Sequence, residues 1–137
     1  MKKLLITPKE INQIAFMKPF QQDAFKGHHI RMVNNKVRSL LGKKLYKKVL
    51  NNPDDYAVLL NDYIKPYMAF AVKTLTMYTI ISDSGLSPDE VISYQNAVKS
   101  AEKASLYHYE QLIKEISENY GFDRKLMSGF IVKRGGH

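Results

Sequence analysis

The four histidines and thirteen acidic residues are the side chains of this chain that could bind a metal or move a proton. His28 and His29 stand next to each other. Adjacent residues do not share a helix face, so a metal site built on them needs further ligands at matching positions. Glu110, Glu115 and Glu118 share no face with a histidine at metal-ligand spacing. Tyr107-His108-Tyr109 reads as the passage of one helix from surface to core. Asp54-Asp55 follows Pro53 at an expected helix start, where acids favour the positive end of the helix, and that accounts for the pair without catalysis. The absence of cysteine excludes disulfides, thiolate nucleophiles and zinc–sulfur sites, and fits a reducing compartment. The seven glycines are scattered, and none builds a phosphate-binding loop or a nucleophile elbow. The expectation is a protein with no enzymatic activity, cofactor or metal, with a site assembled only in three dimensions left open.

Positive charge is the more organised chemistry. Lys36, Arg38, Lys43, Lys44, Lys47 and Lys48 form a cluster. On a helix, Lys43/Lys47 and Lys44/Lys48 are each four apart and stack along two adjacent rows that repel themselves unless something anionic lies opposite. Such a face can meet phosphate without reading sequence, or serve only as a solvated surface. Residues 1–50 hold 12 Lys/Arg against 2 Asp/Glu, residues 51–120 hold 5 against 10, and residues 121–137 hold 4 against 1. A basic head and tail therefore flank an acidic middle within a net charge of +8. The partner is nucleic acid, an acidic protein surface, or the acidic middle of the same or another copy.

The elements that must position these groups are helices. Thr7-Pro8-Lys9-Glu10 and Ser87-Pro88-Asp89-Glu90 each place a capping hydroxyl, a proline at the first helical position and a glutamate that returns the bond. Asn52-Pro53-Asp54-Asp55 is a variant. These predict helix starts near 8, 53 and 88. The first helix is expected to close at Lys18-Pro19, and residues 20–29 read as a loop or a single turn. Ile30, Val33, Val37 and Leu41 mark a helix over 30–41. Gly42 interrupts it, and Lys43 to Leu50 forms another. Two long helices follow, over about 53–82 and 88–120. Pro66 sits in the middle of the first and predicts a kink, and Gly85 suits a left-handed stop. In the second, Val91, Tyr94, Val98, Ala101 and Ser105 form a heptad-like seam continued by Leu112, Ile116 and Tyr120, with Gly121 as its stop. The fold class is all-α: a small helical bundle with two long helices, shorter N-terminal helices and an extended C-terminal arm. A helical domain over 1–121 and a basic arm over 122–137 are expected. No signal peptide is read at the start, and the most apolar window, Pro66 to Ile81, contains Lys73 and is too short to cross a bilayer.

After Pro66 the long helix is apolar on nearly every side, which requires cover on all faces. Its tyrosines, Tyr56, Tyr63, Tyr67 and Tyr78, fit core packing with the hydroxyl at the rim, or anchors of a subunit interface.

Two stretches resemble a known family. Leu40-Leu41-Gly42-Lys43-Lys44-Leu45-Tyr46-Lys47-Lys48-Val49-Leu50 is similar to the hydrophobic-G-x-x-LY-x-x-L signature of tailed-phage head–tail connector (adaptor) proteins. Leu59-Leu60-Asn61-Asp62-Tyr63-Ile64-Lys65-Pro66-Tyr67-Met68-Ala69 is similar to that family's LL-x-x-Y-(I/V)-K-P-x-(L/M)-A segment. Ile80 to Leu86 resembles the end of the family's long helix at a glycine turn. The likeness covers roughly 30–120; the first thirty residues match no pattern, and the lysine-rich head looks closest to connector-like proteins of crAss-like phages. The resemblance implies a homo-oligomeric ring, a dodecamer, seated under the portal of a phage capsid, extending the DNA channel and presenting a surface to the next tail or ring component. Its place would be the virion neck, and the host cytoplasm before assembly, with no membrane contact. Lys36, Arg38, Lys43, Lys44, Lys47 and Lys48 would then line the channel around non-specific genomic DNA or face the portal. Tyr63, Pro66, Tyr67, Phe70, Leu75 and Tyr78 would lie at the subunit interface, with Pro66 setting a bend the ring requires. Arg124, Lys125, Phe130, Ile131, Lys133 and Arg134 would form a partner-binding arm. The rival expectation is a small basic DNA-binding protein using Ile30–Leu50 as a helix-turn-helix with Gly42 in the turn. Against it, Lys43 to Leu50 is short and carries no Arg, Asn or Gln to read bases.

Overall fold

A computed structural model describes residues 3–16, 27–83 and 85–120. All the regular elements among them are helical: α1 (Pro8–Ala15), α2 (Gly27–Leu41), α3 (Lys43–Asn51), a π turn (Leu59–Ile64), α4 (Lys65–Asp83) and α5 (Pro88–Asn119). The expected stops at Lys18-Pro19 and Gly121, most of the expected loop after Phe20, and the arm with its domain boundary lie outside the described residues.

The two capping boxes set their helices as the residues require. Thr7 Oγ1 accepts from the Glu10 N–H while Glu10 Oε1 accepts from the Thr7 N–H. Ser87 and Glu90 repeat the arrangement at the start of α5. The third expected start is corrected. Asn52 does not open the long helix but closes α3: both its backbone N–H and its Nδ2 donate to the Lys48 carbonyl. Residues 53–56 are turns, and the first helical bond of the long segment runs from the Leu60 N–H to the Tyr56 carbonyl. Asn-Pro-Asp-Asp lacks the glutamate that completes a capping box, so the asparagine is taken by the nearer helix end. Asp54 and Asp55 are therefore exposed turn residues, not helix-capping ones. A second correction concerns α2, which begins at Gly27 and so takes His28 and His29 out of the expected loop. Gly42 (φ +83°) and Gly85 (φ +53°) hold left-handed breaks after α2 and before α5.

Pro66 acts through the turn that precedes it. The Lys65 N–H reaches the Leu60 carbonyl, one residue further back than in an α-helix. Proline removes its own N–H and crowds the carbonyl four residues back, and widening the preceding turn relieves that contact. Asn61 and Asp62 are exposed here, so water can take up the released carbonyls.

α4 and α5 pack antiparallel. Tyr56 meets Tyr120, Tyr67 meets Tyr109, Phe70 meets His108, and Tyr78 donates to Glu102, in reverse order along the two segments. Ile64, Met68 and Val72 recur every four residues and are fully buried against Leu112 and Ile116 of α5, Val37 of α2 and Ile11 of α1. The pairing continues beyond this core through Met77, Val98 and Ala101.

α1 is held along α4 by two lysines. Lys65 forms an ion pair with Glu10 at the start of α1. Lys73 Nζ donates to the Ala15 carbonyl at its end (2.8 Å) and lies 4.8 Å from the Phe16 ring centre. A cation at the carboxyl end of a helix meets its unpaired carbonyls and its dipole. This explains the one lysine inside the apolar helix. Burial opposes the charge of Glu10, but the bond and charge of Lys65, with the bonds from Thr7, outweigh it and hold the carboxyl below its ordinary value near 4.5.

A carboxyl with a depressed folded value stabilises the fold above its unfolded value, and that contribution is lost as pH falls through the folded one. Glu10→Gln keeps the capping box and removes the charge. It is expected to lower stability by roughly 0.5–1 kcal/mol at pH 7, and the gap from the parent chain is expected to close as pH falls below the ordinary carboxyl value and through the lowered one. Urea unfolding followed by circular dichroism at several pH values measures it; a gap independent of pH contradicts the pairing.

Candidate functional site

α2 carries Arg31, Asn34, Asn35 and Arg38 three or four residues apart, and α3 carries Lys43, Tyr46, Lys47 and Leu50 in the same rhythm. Each helix thus offers one stripe, and the stripes face across a cavity of about 230 Å³ closed on the third side by Lys3 and Leu4. Among the described residues, five cations line it and no acidic residue does.

One buried asparagine assembles the three walls. Asn34 Oδ1 accepts from the Leu5 N–H (2.9 Å), and its Nδ2 donates to Tyr46 Oη (2.8 Å). Leu5 and Ile6 are buried beside it. The Arg38 guanidinium lies 5.8 Å from the Tyr46 ring centre, within cation–π range.

The structure divides the expected basic face. Arg38, Lys43 and Lys47 line the cavity. Lys44 and Lys48 are exposed on the neighbouring row and point elsewhere. Lys36 lies on the other side of α2, 5.1 Å from the Tyr109 ring centre. Arg31 and Lys3 complete the cavity and were missed. Arg31 was legible, since it stands one stripe position before Asn34, Asn35 and Arg38. Lys3 had no periodicity to mark it, because its place depends on the hydrogen bond to Asn34.

Lys36 belongs to a second, apolar groove of about 500 Å³ between α2, α4 and α5, walled by Met32, Tyr67, Ala71, Leu75, Leu106 and Tyr109. Met32 and Leu106 are about half exposed along it. At 100° per residue, positions 32, 33 and 36 lie on the side of α2 opposite 31, 34 and 38, so one helix separates the apolar groove from the basic cavity.

The expected interface residues do not form one patch. Tyr67 is buried against Tyr109, and burial, with Tyr109 adding to it, pushes its phenol well above the ordinary range. Phe70 stacks on His108 (5.5 Å, 11°), and burial lowers the imidazole from its ordinary value. Leu75 lines the groove, and Tyr78 is half exposed. Tyr63 and Pro66 are half-buried; Tyr63 lies near Tyr120, whose phenol is raised by burial first, with Glu115, Tyr56 and Tyr63 adding to it. The residues expected in the arm, Arg124, Lys125, Phe130, Ile131, Lys133 and Arg134, lie outside the described residues. His28 is exposed and His29 buried, with ring centres 4.3 Å apart, and among the described residues no group of three or more His, Asp or Glu is placed to hold a metal ion. Among the described residues, no helix is long and apolar enough to cross a membrane.

Compared with known proteins, the chain has no significant match to a family model, a curated protein or a solved structure.

Asn34→Leu removes the shared partner of Leu5 and Tyr46. It is expected to cost about 2–3 kcal/mol in urea unfolding, and Tyr46→Phe about 1 kcal/mol. The double variant is expected to cost less than the two together. Additive losses contradict the shared bond.

Proposed function

We propose that this chain is a structural assembly protein, a homo-oligomeric head–tail connector of a tailed phage. It works by seating copies side by side in a ring between portal and tail and presenting positive charge to DNA or to an anionic partner ring. The supporting observation is the apolar surface that the described residues leave uncovered. Met32 and Leu106 edge the groove, and Tyr78, Ile92 and Tyr107 are 50–59% exposed on the two long helices. Scattered exposed apolar residues need no explanation, but two at the edge of an open apolar groove, with three more on the two long helices, fit a partner surface. Ile92 and Leu106 stand two heptads apart, so a neighbour's helix can follow both along α5. A head-to-tail contact of this kind closes into a ring when its rotation does. The LLGKKLY and YIKPYMA segments supply the link to connectors.

A second reading, a small basic DNA-binding protein, is favoured by the acid-free cavity. α3 offers lysines toward solvent but no Arg, Asn or Gln for base edges before Asn51. Tight, salt-dependent binding of the isolated chain to one duplex sequence supports that reading over the connector.

Native mass measurement of the chain, alone and mixed with the portal protein of the same virus, tests the proposal. A ring is expected at least in the mixture; a monomer under both conditions overturns it. Met32→Glu and Leu106→Glu are expected to leave the helical circular dichroism unchanged and to weaken association at least about tenfold. Pro66→Ala restores a backbone donor at the π turn. It is expected to leave the monomer folded and to impair the ring; normal assembly by that variant removes the role given to Pro66.

A further inference from the structure

We infer that the cavity between the N-terminal segment, α2 and α3 is a binding site for a phosphate group, whether carried by a nucleic-acid backbone or as free phosphate. The site is complete in one copy of the chain, so the inference stands or falls apart from ring formation.

The described residues that line the cavity include five cations and no anion. Arg31 and Arg38 carry guanidinium forks and Lys3, Lys43 and Lys47 carry ammonium groups on residues that line the cavity, with no carboxylate among the described lining residues. Like charges gathered around one cavity repel, and a bound anion turns that repulsion into attraction. Free phosphate, largely doubly charged at neutral pH, suits several cations better than a single carboxylate does, and a backbone phosphodiester, with one charge, brings its charged neighbours along the strand.

The floor points the same way. Tyr46 is more than nine-tenths buried and lines the cavity. Its oxygen accepts from Asn34 Nδ2, so its own hydroxyl proton is left to donate, and no described residue accepts it. A phosphate oxygen seated against Tyr46 could accept that hydrogen bond.

The start of α3 adds a third contribution. Gly42, its N-cap, offers no side chain to the free N–H groups of the first turn. That end of the helix borders a shallow recess formed by Asn35, Arg38, Ser39, Gly42 and Lys43, which shares Asn35, Arg38 and Lys43 with the cavity. Open backbone N–H groups and the positive end of a nine-residue helix favour an anion there. At about 230 Å³ the cavity falls below the ~300–1,000 Å³ of drug-sized sites, which fits a small anion rather than a base or a larger ligand.

The test uses the whole chain, inorganic phosphate and a short DNA duplex. Thermal unfolding is compared in sodium phosphate and in sodium chloride at equal ionic strength, and duplex binding is followed by fluorescence anisotropy. The double variant Arg38→Gln/Lys43→Gln changes two exposed cavity residues. Lys99→Gln/Lys103→Gln, exposed on α5, makes the same change in net charge elsewhere. Phosphate at about ten times its Kd is expected to raise Tm by about 3–5 °C in the parent chain and the α5 control, and not in the cavity variant. If the natural source is a nucleic-acid backbone, the cavity variant also loses about tenfold in duplex affinity while the control loses about twofold or less, and phosphate competes with the duplex. Phosphate stabilisation without that difference in duplex binding assigns the site to free phosphate. No specific stabilisation by phosphate together with equal duplex losses in both variants overturns the inference.

Discussion

The helix from Lys65 to Asp83 carries more apolar surface than one face can hold, and the placement of α1, α2 and α5 follows from covering it. An ordinary surface helix buries one stripe and leaves the rest to water. Here Tyr67, Met68, Ala69, Val72 and Met77 are buried, and Phe70, Ala71, Leu75, Ile80 and Ile81 are half-buried. α5 covers one side along its full length, α2 a second and α1 a third. The helix has two cations, Lys65 and Lys73, and both bind α1 rather than water alone. Polarity inside this helix thus serves its cover. What the described elements leave uncovered is the groove beside Met32 and Leu106.

The π turn belongs to the same constraint. In a turn closed by bonds five residues apart, residues five apart stack in one row. Leu59 and Ile64, five apart and both fully buried, therefore share a row that continues through Met68 and Val72. An uninterrupted α-helix would turn Leu59 away from that row by more than a third of a circle. Pro66 thus does more than interrupt a bond: the wider turn it favours aligns the start of the helix with the core. A change at Pro66 accordingly acts on how the two ends of the segment are phased, with little apolar area lost.

Legibility followed completeness of the local signal. Both helix starts with hydroxyl, proline and glutamate formed where those residues stood, because each box satisfies its orphan donors without outside help. Asn52 carried an incomplete signal, and the adjoining end of α3 competed for it. The stripe Ile30, Val33, Val37 and Leu41 marked the buried face of α2, yet its first turn was missed because Gly27 and two histidines carry no apolar period. The site was half legible for the same reason. Arg38, Lys43 and Lys47 could be placed from helical spacing, whereas Lys3 reaches the cavity through a bond spanning 29 residues, from Leu5 to Asn34. Nothing local encodes such a contact.

α2 joins these features. Its buried residues face α4, while the two flanks beside them carry opposite chemistry: Arg31, Asn34 and Arg38 on one, Met32 and Lys36 on the other. A helix that separates a cation-lined cavity from an apolar groove fixes the directions in which an anion and an apolar partner can approach. Neither then has to displace the other, although Lys36 and Glu102 bring one charge of each sign to the rim of the groove. Lys36, the one cation on the apolar side, lies over the Tyr109 ring, where its stem covers apolar surface and its charge meets a π face. Copies joined through the groove would therefore keep their basic cavities clear of the contact. Repeated around a closed ring, each cavity would add its charge to the same circle, so an arrangement that costs repulsion in one chain becomes a continuous attractive surface for a polyanion.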